Sequence, residues 1–387
     1  MIGVLNPATV PAGALPFSDY VALDAETIHR RTREARAKLG TRVVILGHHY
    51  QRDSIIEFAD FRGDSFKLSQ LAAGQAQAET IVFCGVHFMA ESADVLRRPH
   101  QTVVLPDVKA GCSMADMASL ADVEEAWDTL VHAHGDVFTP VTYMNSTAAI
   151  KAFCGARGGV VCTSSNASQV LEWAWARRPK VVFFPDQHLG RNTAFSMGVP
   201  LEQMAEWDWR AADPVAANAA ALRPETRIVL WKGFCSVHTK FAKSMIDEVR
   251  AADPAVKVLV HPECPFDVVR AADYVGSTEY IIEQVRAAAP GTHWAIGTEI
   301  NLVHRLALEH PEQNVHSLQK NVCPCATMNR IDPAHLLWTL ENLAAGVVVN
   351  PIRVPEDVRR DARTALDRML ALKGTGAVAI GAGMAKD

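Results

Sequence analysis

Three of the eight cysteines, Cys112, Cys235 and Cys323, occupy similar settings far apart in the sequence. Each follows a strand-like run and precedes a helix-like one, in a turn that contains glycine in the first two cases and proline in the third. One such cysteine would be interpreted as a core residue. Three at corresponding places indicate three thiolates that converge on one metal centre. Because three ligands leave a coordination position open for substrate, this arrangement is typical of catalytic metal sites.

The spacing of these cysteines leaves the identity of the metal open. Three soft thiolates without paired CxxC motifs fit either an iron–sulfur cluster or zinc. Cys325, two residues after Cys323, is a spare ligand, a redox partner of Cys323, or inert. The other cysteines lie in or beside apolar runs and are expected to be small core residues: Cys84, Cys154, Cys162 and Cys264.

Pairs of polar side chains follow three other strand-like runs. The pairs are His48 with Tyr50, Tyr143 with Asn145, and His261 with Glu263. Because side chains alternate along an extended chain, the two members of each pair point the same way. Glu263 and His261 are the best acid–base candidates, since a closed cavity and nearby charge can move their pKa values toward neutrality. Tyr50 and Tyr143 can donate hydrogen bonds to a carbonyl or carboxylate, with packing as the alternative role.

Three hydroxyl-bearing motifs precede helix-like patterns: Gly63-Asp64-Ser65, Thr163-Ser164-Ser165-Asn166 and Gly276-Ser277-Thr278. Helix capping is the simplest interpretation of these motifs. Anion binding is the functional one, because a helix N-terminus offers free N–H groups and a favourable dipole. Three such termini would suit substrates that carry carboxylates and a phosphate. Neither GxxxxGK[ST] nor GxGxxG occurs, so the sequence gives little support for nucleotide binding.

These landmarks recur in the same order three times along the chain. Each unit has a strand with the polar pair, a helical stretch, the hydroxyl motif, a further strand (TIVFC, KVVFF and HWAIG), and finally the cysteine. Strands that alternate with helices predict βαβ units with parallel sheets, in which ligands bind beyond the carboxyl ends of the strands. Three units facing a common axis would gather the landmarks in one cavity. Chance similarity between short segments is the alternative.

Composition limits the remaining possibilities. A chain of 387 residues predicts two or three domains. A net charge of −5 without blocks of like charge, and no apolar run of about 20 residues, favour neither a nucleic-acid nor a membrane partner. The first residues lack a basic start and contain Pro7, Pro11 and Pro16, so we expect no signal peptide and a cytoplasmic protein with reduced thiols.

Residues 40–335 resemble the quinolinate synthase (quinolinate synthetase A) family of de novo NAD synthesis. The matching motifs are GHHYQ at 47–51, GDS at 63–65, GCSMA at 111–115, YMNSTA at 143–148, CTSSNA at 162–167, PDQHLG at 185–190, GFCSVH at 233–238, HPEC at 261–264, GST at 276–278, GTE at 297–299 and CPCATMN at 323–329. The resemblance implies an α/β fold of three αβα sandwich domains with small parallel sheets, related by pseudo-threefold symmetry around a central active site. We expect the first domain at 1–106, completed by 331–387, the second at 107–228 and the third at 229–330.

The resemblance also implies an activity. Family members condense iminoaspartate with dihydroxyacetone phosphate to quinolinate, releasing phosphate and water, with a [4Fe–4S] cluster whose one open iron is a Lewis acid. A functional link to L-aspartate oxidase would follow. By motif, the cluster ligands would be Cys112, Cys235 and Cys323, and the catalytic residues Glu263, His261 and Tyr50. The substrate-binding residues would be His48, Ser65, Tyr143, Asn145, Ser164, Ser277 and Thr278.

One departure from the family concerns the third cysteine. Some members carry a CxxCxxCP run there, whereas only Val322 directly precedes Cys323 in this chain. Cys323 keeps the position before Pro324 and six before Asn329, so we assign it to the cluster, and a redox switch built on upstream cysteines is in doubt. Two alternatives to the synthase stay open: an aconitase-like iron–sulfur hydro-lyase, and a non-enzymatic iron–sulfur sensor or zinc-binding module.

Overall fold

The computed structural model describes residues 11–75, 77–320 and 324–372. In chain order the strands of these ranges are β1 (Val43–His48), β2 (Phe61–Gly63), β3 (Thr80–Cys84), β4 (Thr102–Val104), β5 (Phe138–Tyr143), β6 (Val160–Cys162), β7 (Lys180–Phe184), β8 (Met204–Trp207), β9 (Ile228–Trp231), β10 (Lys257–Val260), β11 (Tyr274–Val275), β12 (His293–Gly297), β13 (Asn314–Ser317) and β14 (Pro351–Ile352).

Helices alternate with these strands. They are α1 (Ser18–Val21), α2 (Ala25–Leu39), α3 (Asp53–Ile56), α4 (Ser65–Gly74), α5 (His87–Leu96), α6 (Ser113–Asp116), α7 (Leu120–His134), α8 (Ala148–Ala156), α9 (Ala167–Trp175), α10 (Gln187–Ser196), α11 (Pro214–Ala217), α12 (Lys243–Ala252), α13 (Phe266–Ala271), α14 (Thr278–Ala287), α15 (Ile300–Glu309), α16 (Pro333–Ala344) and α17 (Glu356–Ala371). None of the helices in the described ranges has both the length and the apolar character that crossing a bilayer requires.

The strands form three small sheets that repeat one topology. The first runs β14-β4-β3-β1-β2, the second β6-β5-β7-β9-β8 and the third β11-β10-β12-β13. In each sheet the four strands of the repeat lie side by side in the order second, first, third, fourth. Strands β14 and β8 are additions at the edges of the first and second sheets. The pairings are parallel except that of β14 with β4. The predicted α/β fold with small, mostly parallel sheets is confirmed.

The apolar character of the strands explains why the sheets are covered by helices. All residues of β1, β3 and β5 are buried, as expected where helices pack on both faces of a parallel sheet. Helices α4 and α5 contact the first sheet, whereas α8, α9 and α10 contact the second. The third sheet shares a core with α12 and α13.

Contacts divide the described chain into two compact units. Unit 1 comprises the described residues within Met1–Cys112 and Pro324–Glu356 and holds the first sheet. Unit 2 comprises those within Ser113–Cys323 and Asp357–Asp387 and holds the second and third sheets. We expected 331–387 to complete the first domain, whereas Arg368 of α17 donates to the Gly155 and Gly159 carbonyls of unit 2, at 3.3 and 2.6 Å. The three-domain division stays a prediction.

Candidate active site

Glu263 is the centre of a buried polar cluster in unit 2. It lies just beyond the carboxyl end of β10, and only 3% of its surface is exposed. The Tyr143 hydroxyl, at the end of β5, donates to Oε1 of Glu263 at 2.5 Å. Nδ1 of His238 lies 2.9 Å from Oε2. Two polar groups from the second sheet therefore meet on a carboxylate that follows a strand of the third sheet.

His238 extends this cluster in two directions. Its Nε2 lies 3.2 Å from the hydroxyl of Thr298, the residue that follows β12. Its ring stacks on His261, with the two centroids 4.5 Å apart. Because a carboxylate can only accept, Nδ1 of His238 carries a hydrogen and donates it to Glu263. The chain Tyr143–Glu263–His238–Thr298 is thus continuously hydrogen-bonded.

The charge states in the cluster follow from burial and from these neighbours. Burial acts to raise the pKa of Glu263, but His238, His261 and the hydrogen bond from Tyr143 outweigh it and lower that pKa to about 2. Burial, assisted by His238, lowers the pKa of His261 to about 3 against the opposing effect of Glu263. At neutral pH, Glu263 is therefore a carboxylate and His261 a neutral imidazole.

A second buried carboxyl stands near this charge. Asp186 is fully buried, and its Oδ1 accepts from the His188 amide at 2.7 Å, capping α10. Burial, followed by the negative charge of Glu263, raises the pKa of Asp186 well above its usual value. Its Oδ2 has no hydrogen-bond partner among the described residues. Two carboxyl groups in one region thus have pKa values displaced in opposite directions, a pattern that occurs preferentially at functional sites.

The turns that carry the two histidine-containing pairs, His48 with Tyr50 and His261 with Glu263, have the same hydrogen bonds. In unit 1, Nδ1 of His48 accepts from the Tyr50 amide at 3.1 Å, and the two rings lie 4.7 Å apart. In unit 2, Nδ1 of His261 accepts from the Glu263 amide at 3.4 Å. Each histidine carbonyl also accepts from the amide three residues on. The equivalence deduced from the repeat therefore extends to individual hydrogen bonds.

The third polar pair, Tyr143 and Asn145, is held by a buried lysine. Lys151 of α8 is fully buried, and its Nζ donates to the Met144 carbonyl at 2.9 Å and to the Ser146 carbonyl. These two carbonyls flank Asn145 on either side. The Oδ1 atom of Asn145 is buried without a partner in the described chain, so this side chain retains an acceptor for a ligand.

All three hydroxyl motifs lie where helices begin. Asp64 caps α4 and Ser65 is its first residue, whereas Ser277 caps α14 and Thr278 is the first residue there. Ser164 precedes α9, in a turn that Asn166 closes by accepting from the Thr163 amide at 2.8 Å. The expected helix starts are confirmed, and the anion-binding role remains a prediction.

The described cysteines fall into two groups. The first group is buried in the apolar core, where burial raises the thiol pKa: Cys84, Cys154, Cys162 and Cys264. The second group, Cys112, Cys235 and Cys325, is only half-buried. Since metals bind thiolates, only the second group offers suitable ligands. Cys323, the predicted third ligand, lies outside the described residues.

One set of side chains in the described ranges is spaced to hold a metal ion. Ligand atoms of Cys235, His238 and Glu263 all lie within 4.8 Å of one another. The His238 and Glu263 atoms, however, already hydrogen-bond each other and their neighbours Thr298 and Tyr143. Cys235 is the member of this set whose soft thiolate suits an iron–sulfur cluster.

Sequence reasoning placed Glu263, His261 and Tyr143 among the site residues but assigned no role to His238. The signal was present, because His238 ends the GFCSVH run that contains Cys235. Asp186 carried a similar signal, because it lies in the PDQHLG run at 185–190, whereas Lys151 lies outside the matching motifs. A buried charge or an unpaired carboxyl oxygen becomes visible only when packing is known.

Comparison with known proteins identifies the family of this chain. The family model of the quinolinate synthetase A protein matches residues 30–371. Proteins named quinolinate synthase are similar over most of their length. That of Geobacillus kaustophilus is 51% identical over 353 residues, 91% of this chain and 95% of the relative. Those of Corynebacterium glutamicum and a Nocardioides species are 52% and 55% identical, covering 95% and 96% of this chain and 93% of each relative. This chain belongs to the quinolinate synthetase A family.

Proposed function

We propose that this protein is a quinolinate synthase, which condenses iminoaspartate with dihydroxyacetone phosphate and releases phosphate and water. The observation that carries the proposal is the buried Tyr143–Glu263–His238 chain at the carboxyl ends of strands, in a protein similar to named quinolinate synthases. We place the enzyme in the cytoplasm, with L-aspartate oxidase as a functional partner.

We assign a [4Fe–4S] cluster to Cys112, Cys235 and Cys323. The half-buried state of the first two thiols supports this assignment, because the core cysteines are held as thiols by burial. When bound, such a cluster supplies a Lewis-acidic iron with an open coordination position. Cys325 is the alternative to Cys323 as third ligand.

Side chains of the protein itself provide the proton carriers. The Tyr143 hydroxyl donates a hydrogen bond to Oε1 of Glu263, and Nδ1 of His238 donates one to Oε2. Two donated hydrogens are therefore fixed in place beside this carboxylate. Because Glu263 stays ionised, it anchors both donors. It can take up a proton when negative charge develops beside it and raises its pKa. Tyr50 and His261 are the further proton carriers that we propose, and the neutral imidazole of His261, which accepts from the Glu263 amide at Nδ1, offers its Nε2–H as a donor.

The remaining predicted residues bind and enclose substrate. His48, Tyr143, Asn145, Ser65, Ser164, Ser277 and Thr278 would contact the carboxylates and the phosphate. Support comes from the helix starts at Ser65 and Thr278, whose backbone N–H groups and dipoles favour anions. Burial of His261 and Glu263 indicates a region protected from water, which suits an imine that hydrolyses readily.

The test is anaerobic purification, iron and sulfide analysis, and an assay for quinolinate from iminoaspartate and dihydroxyacetone phosphate. Cys112→Ala, Cys235→Ala and Cys323→Ala should each lose the cluster's visible absorption, its iron and activity. Cys84→Ala is the matched control, because Cys84 is a buried core thiol, and it should keep all three.

Other results would redirect the proposal. A Cys323→Ala protein with full iron, sulfide and activity would move the third ligand to Cys325. A colourless wild-type protein with stoichiometric zinc would favour a metal-binding module instead. An iron–sulfur protein that dehydrates a carboxylic acid but makes no quinolinate would favour the hydro-lyase. The names of the relatives do not favour that alternative.

A further inference from the structure

We infer that Asn192 is a positioning residue that fixes the catalytic carboxylate of Glu263. Asn192 lies on α10, beside the second sheet, and only 3% of its surface is exposed. Its Nδ2 donates to the Pro262 carbonyl at 2.8 Å and to the Cys264 carbonyl at 2.9 Å. One amide group thus holds the backbone on both sides of Glu263. The inference rests on the proposed function of that residue.

The arrangement matters because Glu263 must satisfy partners from separate elements. Its two oxygens accept from Tyr143, at the end of β5, at 2.5 Å and from His238, after β9, at 2.9 Å. Residues 261–264 form an irregular turn after β10, so no strand hydrogen bonds define the place of Glu263 itself. Shifts of about 1 Å at a reacting group can cost about a hundredfold in rate. The turn's own hydrogen bonds run from the amides of Glu263 and Cys264 back to His261, whereas the side-chain amide of Asn192 ties the turn to α10.

The hydrogen bonding of Asn192 is one-sided, which separates this role from ordinary packing. Its Oδ1 is buried and has no partner within the described ranges, whereas both protons of Nδ2 are used. An unpaired buried acceptor is unfavourable, and an apolar side chain of similar shape would avoid it. The two donated bonds are therefore what this amide adds at its position.

Asn218 offers a matched control in the same unit. It is also buried, and its Nδ2 also donates to two carbonyls, those of Asp208 and Pro214, at 3.3 and 2.7 Å. These carbonyls lie directly after β8 and at the first residue of α11, and neither segment carries a proposed catalytic group. Asn192→Leu and Asn218→Leu therefore remove the same number of donated bonds, but only the first loosens the turn that carries Glu263.

The experiment compares holoenzymes with equal iron content. Asn192→Leu should lower kcat for quinolinate by about ten- to a hundredfold, with KM changed by about twofold or less. Asn192→Asp keeps the size of the side chain but loses both donated hydrogens, and it should lower kcat as Asn192→Leu does. It tests the positioning role if the leucine variant does not fold. Backbone amides of Glu263 and Cys264 should exchange hydrogen faster in both variants. Asn218→Leu should keep wild-type kcat and wild-type exchange at these two amides.

Three outcomes would contradict the positioning role of Asn192. Wild-type kcat in either folded Asn192 variant would overturn the inference, as would an equal loss of kcat in Asn218→Leu. If the wild-type protein makes no quinolinate, the proposed function has failed, and exchange at Glu263 and Cys264 then decides alone. Unchanged exchange there in Asn192→Asp would show that this amide does not fix the turn.

Discussion

Glu263 is buried yet ionised, because its neighbours compensate for the loss of water. Tyr143 and His238 donate to its two oxygens, and these bonds with nearby His261 outweigh the effect of burial on its pKa. A carboxylate with a pKa of about 2 is a weak base in the resting state. In this structure it holds two donors in place, and the proton-accepting role that we propose requires the negative charge of a substrate to raise its pKa.

Tyr143→Phe tests this role of the carboxylate. The change removes the hydroxyl that donates to Oε1 of Glu263 and leaves the ring. A hydrogen bond to a charged group contributes about 1.5–3 kcal/mol, so we expect kcat to fall by about ten- to a hundredfold. The measurement is steady-state quinolinate formation by holoenzyme.

Tyr274→Phe is the control for Tyr143→Phe, since the Tyr274 ring packs on Trp294 at the edge of the third sheet. It should keep wild-type kcat. An unchanged kcat in Tyr143→Phe would mean that the Tyr143 hydroxyl does not take part in the reaction.

Among the elements, α17 supports unit 2 through an unusually close contact with α8. A Cβ atom on Gly155 would lie 1.9 Å from the backbone oxygen of Asp361, so only glycine permits this approach. The end of α17 also accepts from Asn166, whose Nδ2 lies 3.2 Å from the Leu372 carbonyl. Because Asn166 closes the turn that holds Ser164, the helix contact supports a predicted substrate residue.

Gly155→Ala should therefore destabilise unit 2. Alanine favours a helix by about 0.5–1 kcal/mol over glycine, but overpacking against a backbone costs about 1–3 kcal/mol or more. We expect a net loss of about 2 kcal/mol in the free energy of unfolding, measured by urea denaturation. Gly74→Ala in α4 is the control, since nothing lies within 4 Å of the added Cβ, and it should be neutral or slightly stabilising. Equal stability of the two variants would contradict the proposed close contact.

For the molecule as a whole, the sequence predicted topology better than contacts. Three recurrences of the same landmarks predicted three similar sheets, because periodicity and strand ends are local properties of the sequence. His238 between Glu263 and Thr298, and Asn192 behind Glu263, depend on how sheets two and three pack, which no local pattern encodes. The close contact of α17 with α8 at Gly155 is likewise not encoded in any local pattern.

The buried histidines predict how the stability of the protein depends on pH. The pKa of His261 is lowered to about 3 by burial and His238, and that of His188 to about 4 by burial and Arg191. Above pH of about 6.5 both residues are neutral in the folded and unfolded states, so they contribute no pH dependence. Below about pH 6.5 these histidines bind protons in the unfolded chain but not in the folded chain. The free energy of unfolding therefore falls until the pH reaches the pKa values of the folded state. Glu263, with its lowered pKa, adds to this loss below pH of about 4.5.

We therefore expect each of these two histidines to lower the free energy of unfolding between about pH 6.5 and its own folded pKa, by up to about 1.4 kcal/mol per pH unit, whereas Asp186, whose pKa is raised by burial, acts in the opposite direction. Urea denaturation followed by tryptophan fluorescence measures this loss, since Trp231 and Trp294 are buried in the second and third sheets. His261→Asn should make the pH dependence shallower between pH 6.5 and 4. His132→Asn, at an exposed position of α7, should leave it as in the wild type. A wild-type slope in His261→Asn would show that His261 is not held neutral by the fold.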